Sequence, residues 1–419
     1  MFLRSPKVIS QARFALKVSC YTNLSKRYLH DTGIRARTNV HVLGAGSSGS
    51  LMAFYLQRAR ETLTNYSNDK ITLQLRTPPN ERQSTTNSTA LIRVYNNDEI
   101  LRDECELPYE TAQNHSEDPI DVLFVCTKAD QTVNALKPFL PRLTSLHRRG
   151  PPTIILTQNG MGIDDALINE FGWNQKSAND PFIVSGINRH GSYLLKRFET
   201  VHAGQASIPF ALSPMTEERI GQETSTKLID MANQQTEIIE ESPFQTLQWT
   251  FGLLSTPYLR DNLGSSVERL ASDLLIRQQQ KLVVNCTGNA LSAIHDVRND
   301  VVVNDPELRK WGDKVAEECA YIIGARFFNS AKSKNKSESE IILPKELQSD
   351  LLKKQAWHTI EINGKNWSSM VQDMRSKRGA TEIDFINGTI VRWAHELGLQ
   401  APVNEELVRL VKEKIAAQK

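Results

Sequence analysis

The sequence predicts an α/β domain followed by an all-α domain, and three observations carry that prediction. A short apolar strand at Asn39–Leu43 runs into a glycine turn and then into an apolar helical pattern through Leu56. Short apolar runs recur at 71–75, 121–128 and 153–157, each entered from a polar stretch, as buried parallel strands are. From about Asp273 to the end the apolar residues recur at helical spacing instead, in patterns at 308–327, 362–374, 382–398 and 405–417.

The chain has 419 residues, too many for one ordinary core and enough for two domains. The reading divides it into a leader (1–38), an α/β domain (39–272) with an insertion at about 205–270, and a helical domain (273–419). With 39% hydrophobic and 23% charged residues and a net charge of +2, the composition gives no reason to expect a nucleic-acid surface. No apolar run approaches the roughly 20 residues needed to span a bilayer. The cysteines Cys20, Cys105, Cys126, Cys286 and Cys319 form no CxxC pair and read as reduced thiols, with no metal site expected.

The first thirty residues carry Arg4, Lys7, Arg13, Lys17, Lys26 and Arg27, and no acid precedes Asp31. A basic, acid-poor start with interspersed serines is the pattern of a mitochondrial transit peptide, and the expected compartment is the matrix. If the segment is only a basic tail, the expected compartment is the cytoplasm.

The glycine turn reads Gly44-Ala45-Gly46-Ser47-Ser48-Gly49. Between a strand and a helix, GxGxxG is the fingerprint of a Rossmann dinucleotide site. Gly44 permits the tight turn, Gly46 lets backbone approach a pyrophosphate, and Gly49 allows the helix to pack on the strand. The helix N-terminus then offers free N–H groups to the anion. The second strand ends in Arg76, where a site preferring NAD carries an acid. A guanidinium suits a 2′-phosphate, so NADP(H) is expected, although an isolated surface arginine gives the same letter. Lys128 and Asn159 follow the strands at 121–128 and 153–157. They are expected at the edge where ligands of open α/β sheets bind, facing the nicotinamide half. Phe182–Gly186 and 206–212 read as further strands around a turn at 188–191, and 216–235 as a helix, whereas 242–266 carries no clear pattern.

In the helical half, Lys281, Asn285 and Asn289 stand at i, i+4 and i+8 and share one helix face. A lysine and two amides in a stripe suit a carboxylate or carbonyl oxygen, although a solvated helix face has the same letters. Ser368-Ser369 and Thr381-Glu382 read locally as helix starts.

Together these segments resemble the ketopantoate reductases (2-dehydropantoate 2-reductases). The matching stretches are VLGAGSSG at 42–49, LFVCTKADQ at 123–131, QNGMG at 158–162, KLVVNCTGNALSAI at 281–294, SSMVQD at 368–373 and TEIDFING at 381–388. They stand in family order from about residue 39 onward, as in a fungal-type mitochondrial member. The resemblance implies a Rossmann domain followed by an all-α domain like the C-terminal domain of 6-phosphogluconate dehydrogenase. It implies NADPH-dependent reduction of 2-dehydropantoate to (R)-pantoate, on the route to pantothenate and coenzyme A.

By the same resemblance, Lys281 falls on the catalytic lysine and Glu382 on the acid that binds cofactor and orders the site. Asn285, Asn289, Asn299 and Ser369 fall on substrate-binding positions, and Lys128, Asn159 and Ser192 on cofactor-contacting ones. Glu382 is expected to keep Lys281 protonated and aimed. No metal is implied, and a homodimer is compatible with the pattern. Gln279, Ala290 and a Ser369-to-Glu382 spacing one residue longer than usual depart from the family pattern near the substrate. Two alternatives follow: a reductase of another branched 2-oxo acid, or a non-enzymatic, RNA-associated mitochondrial factor built on the same fold.

Overall fold

The computed structural model describes residues 37–78, 84–86, 89–145, 150–234, 242–333 and 341–418. Nearly all of the expected leader lies outside the described residues. The chain forms two compact units. Of the described residues, the first unit holds 37–126, 136–156 and 173–269, and the second holds 127–135, 157–172 and 270–418. The second unit therefore takes two segments that follow strands of the first.

The first unit is built on strands β1 (Asn39–Leu43), β2 (Lys70–Leu75), β3 (Ser84–Thr86), β4 (Thr89–Tyr95), β5 (Leu101–Thr111), β6 (Val122–Val125), β7 (Thr153–Leu156), β8 (Phe182–Gly186), β9 (Gly191–Lys196), β10 (Glu199–Gly204), β11 (Ile208–Leu212) and β12 (Ser265–Val267). Their order is β12-β11-β8-β7-β6-β1-β2-β5-β4-β10-β9, with β3 on β4. From β8 through β7, β6, β1 and β2 to β5 every pairing is parallel, with Val42 opposite Leu73 and Phe124. This is the open α/β sheet expected from the short apolar runs. Helix α1 (Ser47–Thr62) follows β1 and is buried along Leu51–Gln57, because its apolar residues continue round more than one face.

Strands β4, β5, β9 and β10 were not read from the sequence. β4 alternates half-buried and buried residues from Thr89 to Tyr95, a period-2 pattern that marks a strand covered on one face. The stretch at 242–266, without pattern in the sequence, forms helices Gln245–Leu254 and Pro257–Leu263 and leads into β12. Trp249, Phe251, Leu254, Leu259 and Leu263 from it are buried in the core of this unit, so this stretch is integral to the sheet domain. Trp249 also donates its indole N–H to Asp69 at 2.7 Å, and Asp69 accepts the Thr38 N–H at 2.8 Å, which anchors the start of β1. The helix expected over 216–235 is two, Pro214–Ile220 and Gln222–Asn233, broken at Gly221.

The second unit is helical: α2 (Ile163–Phe171), α3 (Ala271–His295), α4 (Asn299–Asn304), α5 (Pro306–Ser333), α6 (Ser349–Ile362), α7 (Ser369–Arg375), α8 (Asn387–Glu396) and α9 (Pro402–Ala416). Val283, Cys286, Val315, Ile323, Trp357, Ile390 and Trp393 lie in one core. The helix expected over 362–374 is interrupted. The chain turns at 363–368, where Asn299 and Asp300 of α4 donate their N–H groups to the Asn366 and Gly364 carbonyls. The helix expected from Glu382 begins only at Asn387, after a short 3-10 turn at Ile383–Phe385. No described helix is long and apolar enough to cross a membrane.

Candidate active site

In the first unit the glycine turn has the form the motif requires. Gly44 takes a φ of +101°, and the space where a Cβ at Gly49 would stand is occupied by the Gly44 carbonyl. Alanine at 49 would push α1 off β1. Gly46 is the N-cap of α1; a Cβ there would meet no atom within 4 Å. No side chain caps this helix and no acid occupies its first turn. The first N–H groups of α1 thus have no side-chain cap and stand at a positive dipole end, which fits a pyrophosphate. Ala45, Ser47 and Ser48 are half-buried around it. Gly44 donates its N–H to the Gln74 carbonyl at 3.4 Å, so Arg76 follows β2 at the same sheet edge, with its side chain exposed. Ser192 lies on the edge strand β9, opposite His202 of β10.

In the second unit the structure brings together three of the expected residues. Glu382 is 3% exposed, and each of its carboxylate oxygens has a partner. Oε1 accepts the Ala129 N–H at 3.1 Å, Oε2 accepts from Asn159 Nδ2 at 3.4 Å, and Lys128 Nζ stands 3.5 Å from Oε2. Burying a carboxylate is costly unless such a set of donors meets it. The loop carrying Asn159 is fixed by backbone. Gly160 takes a φ of +85°, its Cβ direction is blocked by the Phe385 backbone, and Met161 donates its N–H to the Phe385 carbonyl at 2.9 Å. The segments QNGMG and TEIDFING, distant in sequence, are thereby one structural piece.

Further residues of this cluster had no role assigned from sequence. Asp373 accepts from Lys128 Nζ at 3.1 Å. Arg378 donates to Asp130 at 2.8 Å and stands 3.8 Å from Asp373. Burial pushes the Asp373 carboxyl above its ordinary range, against the pull of Lys128 and Arg378. The signal in the sequence was an acid on a short helix whose neighbours Met370, Val371 and Met374 are all apolar and buried. Thr132 also contributes, donating to the Lys128 carbonyl and accepting from Gln158 at 3.1 Å.

Lys281, Asn285 and Asn289 lie along α3 as the spacing requires. All three are half-buried, while Leu282, Val283 and Cys286 beside them are buried in the core. The two serines at the start of α7 divide the work. Ser368 is the N-cap, accepting the Val371 N–H at 3.2 Å and the Ser292 hydroxyl of α3 at 2.8 Å. Ser369, the first helical residue, is half-buried and stands outside this capping arrangement. Asn299 opens α4, and its side chain donates to the Asn363 carbonyl at 3.0 Å. That bond ties α4 to the turn after α6, so this amide has a structural duty that the motif did not indicate.

Comparison with known proteins identifies the family and the fold. Residues 40–214 match the family described as ketopantoate reductase PanE/ApbA, and residues 273–415 match the C-terminal domain of the same family. The chain is similar to a probable 2-dehydropantoate 2-reductase of Schizosaccharomyces pombe, 29% identical over 378 residues covering 90% of this chain and 96% of the relative. It is also similar to the 2-dehydropantoate 2-reductase of Saccharomyces cerevisiae, 28% identical and covering 87% and 90% of the two chains. Among solved structures, a D-mandelate dehydrogenase with NADH and anilino(oxo)acetate shares the fold with a TM-score of 0.61 at 20% identity, over 91% of this chain and 99% of that one. The probable 2-dehydropantoate 2-reductase of Bacillus subtilis shares it with a TM-score of 0.56 at 20% identity, over 90% and 99%.

Proposed function

The chain belongs to the ketopantoate reductase family, and on that premise we propose that it is an NADPH-dependent 2-dehydropantoate 2-reductase. The observation that carries the reading is the buried Glu382 carboxylate. It gathers Lys128 with the Ala129 N–H, and Asn159, from two segments distant from its own, while the Lys281 stripe of α3 is half-buried.

When bound, the nicotinamide supplies a hydride to the C2 carbonyl carbon of the 2-oxo acid. Negative charge then develops on the carbonyl oxygen, and the Lys281 ammonium stabilises it and delivers the proton that completes the alcohol. A lysine suits this role because its ammonium is a compact donor on a mobile stem. Asn285, Asn289 and Ser369 orient the substrate by neutral hydrogen bonds, which adds no competing charge. Lys128 and Asn159 contact the cofactor, and Glu382 holds both in position. The glycine turn receives the pyrophosphate, and Arg76 prefers the 2′-phosphate of NADP(H) to the bare ribose hydroxyl.

The proposal includes import into mitochondria, supported by the basic, acid-free opening of the chain. Fractionation of cells expressing the full chain with a C-terminal tag tests it; a purely cytosolic product ends that part. The catalytic reading is tested by following NADPH oxidation with 2-dehydropantoate beside other branched 2-oxo acids. Preferred turnover of 2-dehydropantoate is the expected result. Tight NADPH binding with no turnover on any of them would overturn it.

A further inference from the structure

We propose that Arg197 is a second specificity-determining residue for the cofactor, forming with Arg76 a two-guanidinium seat for the 2′-phosphate. The inference deepens the NADPH reading above and rests on it. Arg197 lies in the connection between β9 and β10, where Lys196 and Glu199 are paired. It is far from Arg76 in sequence, and no motif pointed to it. In the fold its guanidinium donates to the carbonyl of Thr77 and, at 2.9 Å, to that of Pro78, the two residues directly after Arg76. Arg197 therefore reaches the end of β2, the strand whose Gln74 carbonyl receives the N–H of the glycine turn.

The electrostatics single this pair out. Several other arginines of the same unit stand beside acids: Arg58 with Glu61 and Asp103, Arg93 with Glu104 and Glu199, Arg142 with Glu110. Burial lowers the proton affinity of Arg197, and the neighbouring charge of Arg76 lowers it further; the phenol of Tyr109 opposes the shift. Two guanidiniums held together without an anion repel, and a dianionic phosphate between them removes that repulsion. A guanidinium has five N–H donors, so the bonds to Thr77 and Pro78 leave others for phosphate oxygens.

Arg197 is also held in place. It stacks on the Phe198 ring, its guanidinium carbon 4.8 Å from the ring centroid. Phe198 is buried with a φ of +68°, a costly conformation for a residue with a side chain, and the Arg93 N–H fixes its carbonyl at 2.8 Å. A turn bent at this cost presents Arg197 to the end of β2. NADH, with a neutral 2′-hydroxyl, gains nothing from the second guanidinium.

The test measures the Kd of NADPH and of NADH for the full chain, with Arg197→Gln, Arg197→Lys and Arg76→Ala. Arg197→Gln is expected to weaken NADPH about tenfold or more, with NADH changed less than about twofold. Arg197→Lys, which keeps the charge and loses the fork, should fall between them. Unchanged NADH binding shows that the variant retains its fold. Equal losses for both cofactors, or no loss for either, would overturn the role of Arg197. If Arg76→Ala alone removes the preference for NADPH, this proposal fails and the NADPH reading stands. If the unmodified protein binds NADH as tightly as NADPH, both fail.

Discussion

The backbone of Gly160 is pressed against the carbonyl of Phe385, so closely that no side chain fits between them. This contact sets the position of Asn159 relative to Glu382. Gly160→Ala therefore adds two penalties, a φ of +85° and a collision with backbone that cannot rotate away. Gly172, at the end of α2, has a similar φ of +71° but open space around it. Gly172→Ala should cost about 1 kcal/mol from conformation alone, and Gly160→Ala roughly 2–4 kcal/mol. Denaturant unfolding of both variants measures the difference, and equal losses would show that the Phe385 contact is unimportant.

Lys281→Ala should lower kcat by about 10²- to 10⁴-fold, the usual worth of a positioned proton donor beside developing charge. Binding of NADPH should be almost unchanged, because the expected cofactor contacts lie elsewhere, in the glycine turn, Arg76, Lys128 and Asn159. Single-turnover measurements at saturating cofactor check this. A kcat within tenfold of the starting value removes Lys281 from the role of proton donor.

Asp373→Asn tests a positioning residue. The amide keeps the shape but loses the charge that holds Lys128 at 3.1 Å, leaving the lysine to Glu382 at 3.5 Å. Because one carboxylate remains, the loss of stability should be about 1–2 kcal/mol rather than the 3–5 kcal/mol of an orphaned buried charge. The KM for NADPH should rise several-fold, with kcat changed less. A fall in kcat with KM unchanged would place Asp373 in the chemistry instead.

A histidine chain gives a pH dependence with a definite sign. His190 Nε2 faces the Leu263 carbonyl at 3.0 Å and must donate, so its Nδ1 accepts from the Ala206 N–H at 3.2 Å and from His202 Nε2 at 2.8 Å. His202 Nδ1 then accepts from the Tyr55 hydroxyl at 3.2 Å. Every position is filled by neutral rings, and a proton on His190 Nδ1 would meet the Ala206 N–H. Burial, then His190 and Arg102, lower His202 from 6.5 to about 4, and burial lowers His190 as well. Both values lie below the unfolded ones, so their contribution is complete above pH 6.5 and is lost as the pH falls toward 4. His41, buried beside Arg142 and lowered to about 3, adds to the same slope. Unfolding free energy measured between pH 7.5 and 4 should decline on the order of 1–3 kcal/mol from the His202 linkage. His202→Gln should flatten part of that decline, and an unchanged slope would refute the assignment.

The parts legible in the sequence were those set by local geometry. A strand–glycine–helix turn needs its glycines close together in the chain, so the glycine turn at 44–49 was readable, as was the stripe of Lys281, Asn285 and Asn289 from helical periodicity. Strand pairings with large sequence separation were not. β9 is largely exposed, and β10 interleaves Glu199, Thr200 and His202 with its apolar residues, so neither has the apolar run that marked β6 and β7. The partners of Glu382 were likewise hidden, because Lys128, Asn159 and Asp373 are gathered only when three distant segments pack together. The sequence by itself determined which residue types were available and which stood on common local faces. Only the tertiary structure decided that Asp373 and Arg378 join Lys128, and that Arg197 meets the loop beyond Arg76. Charge pairing depends on distance in space, and periodicity along one element carries no record of what the fold places opposite it.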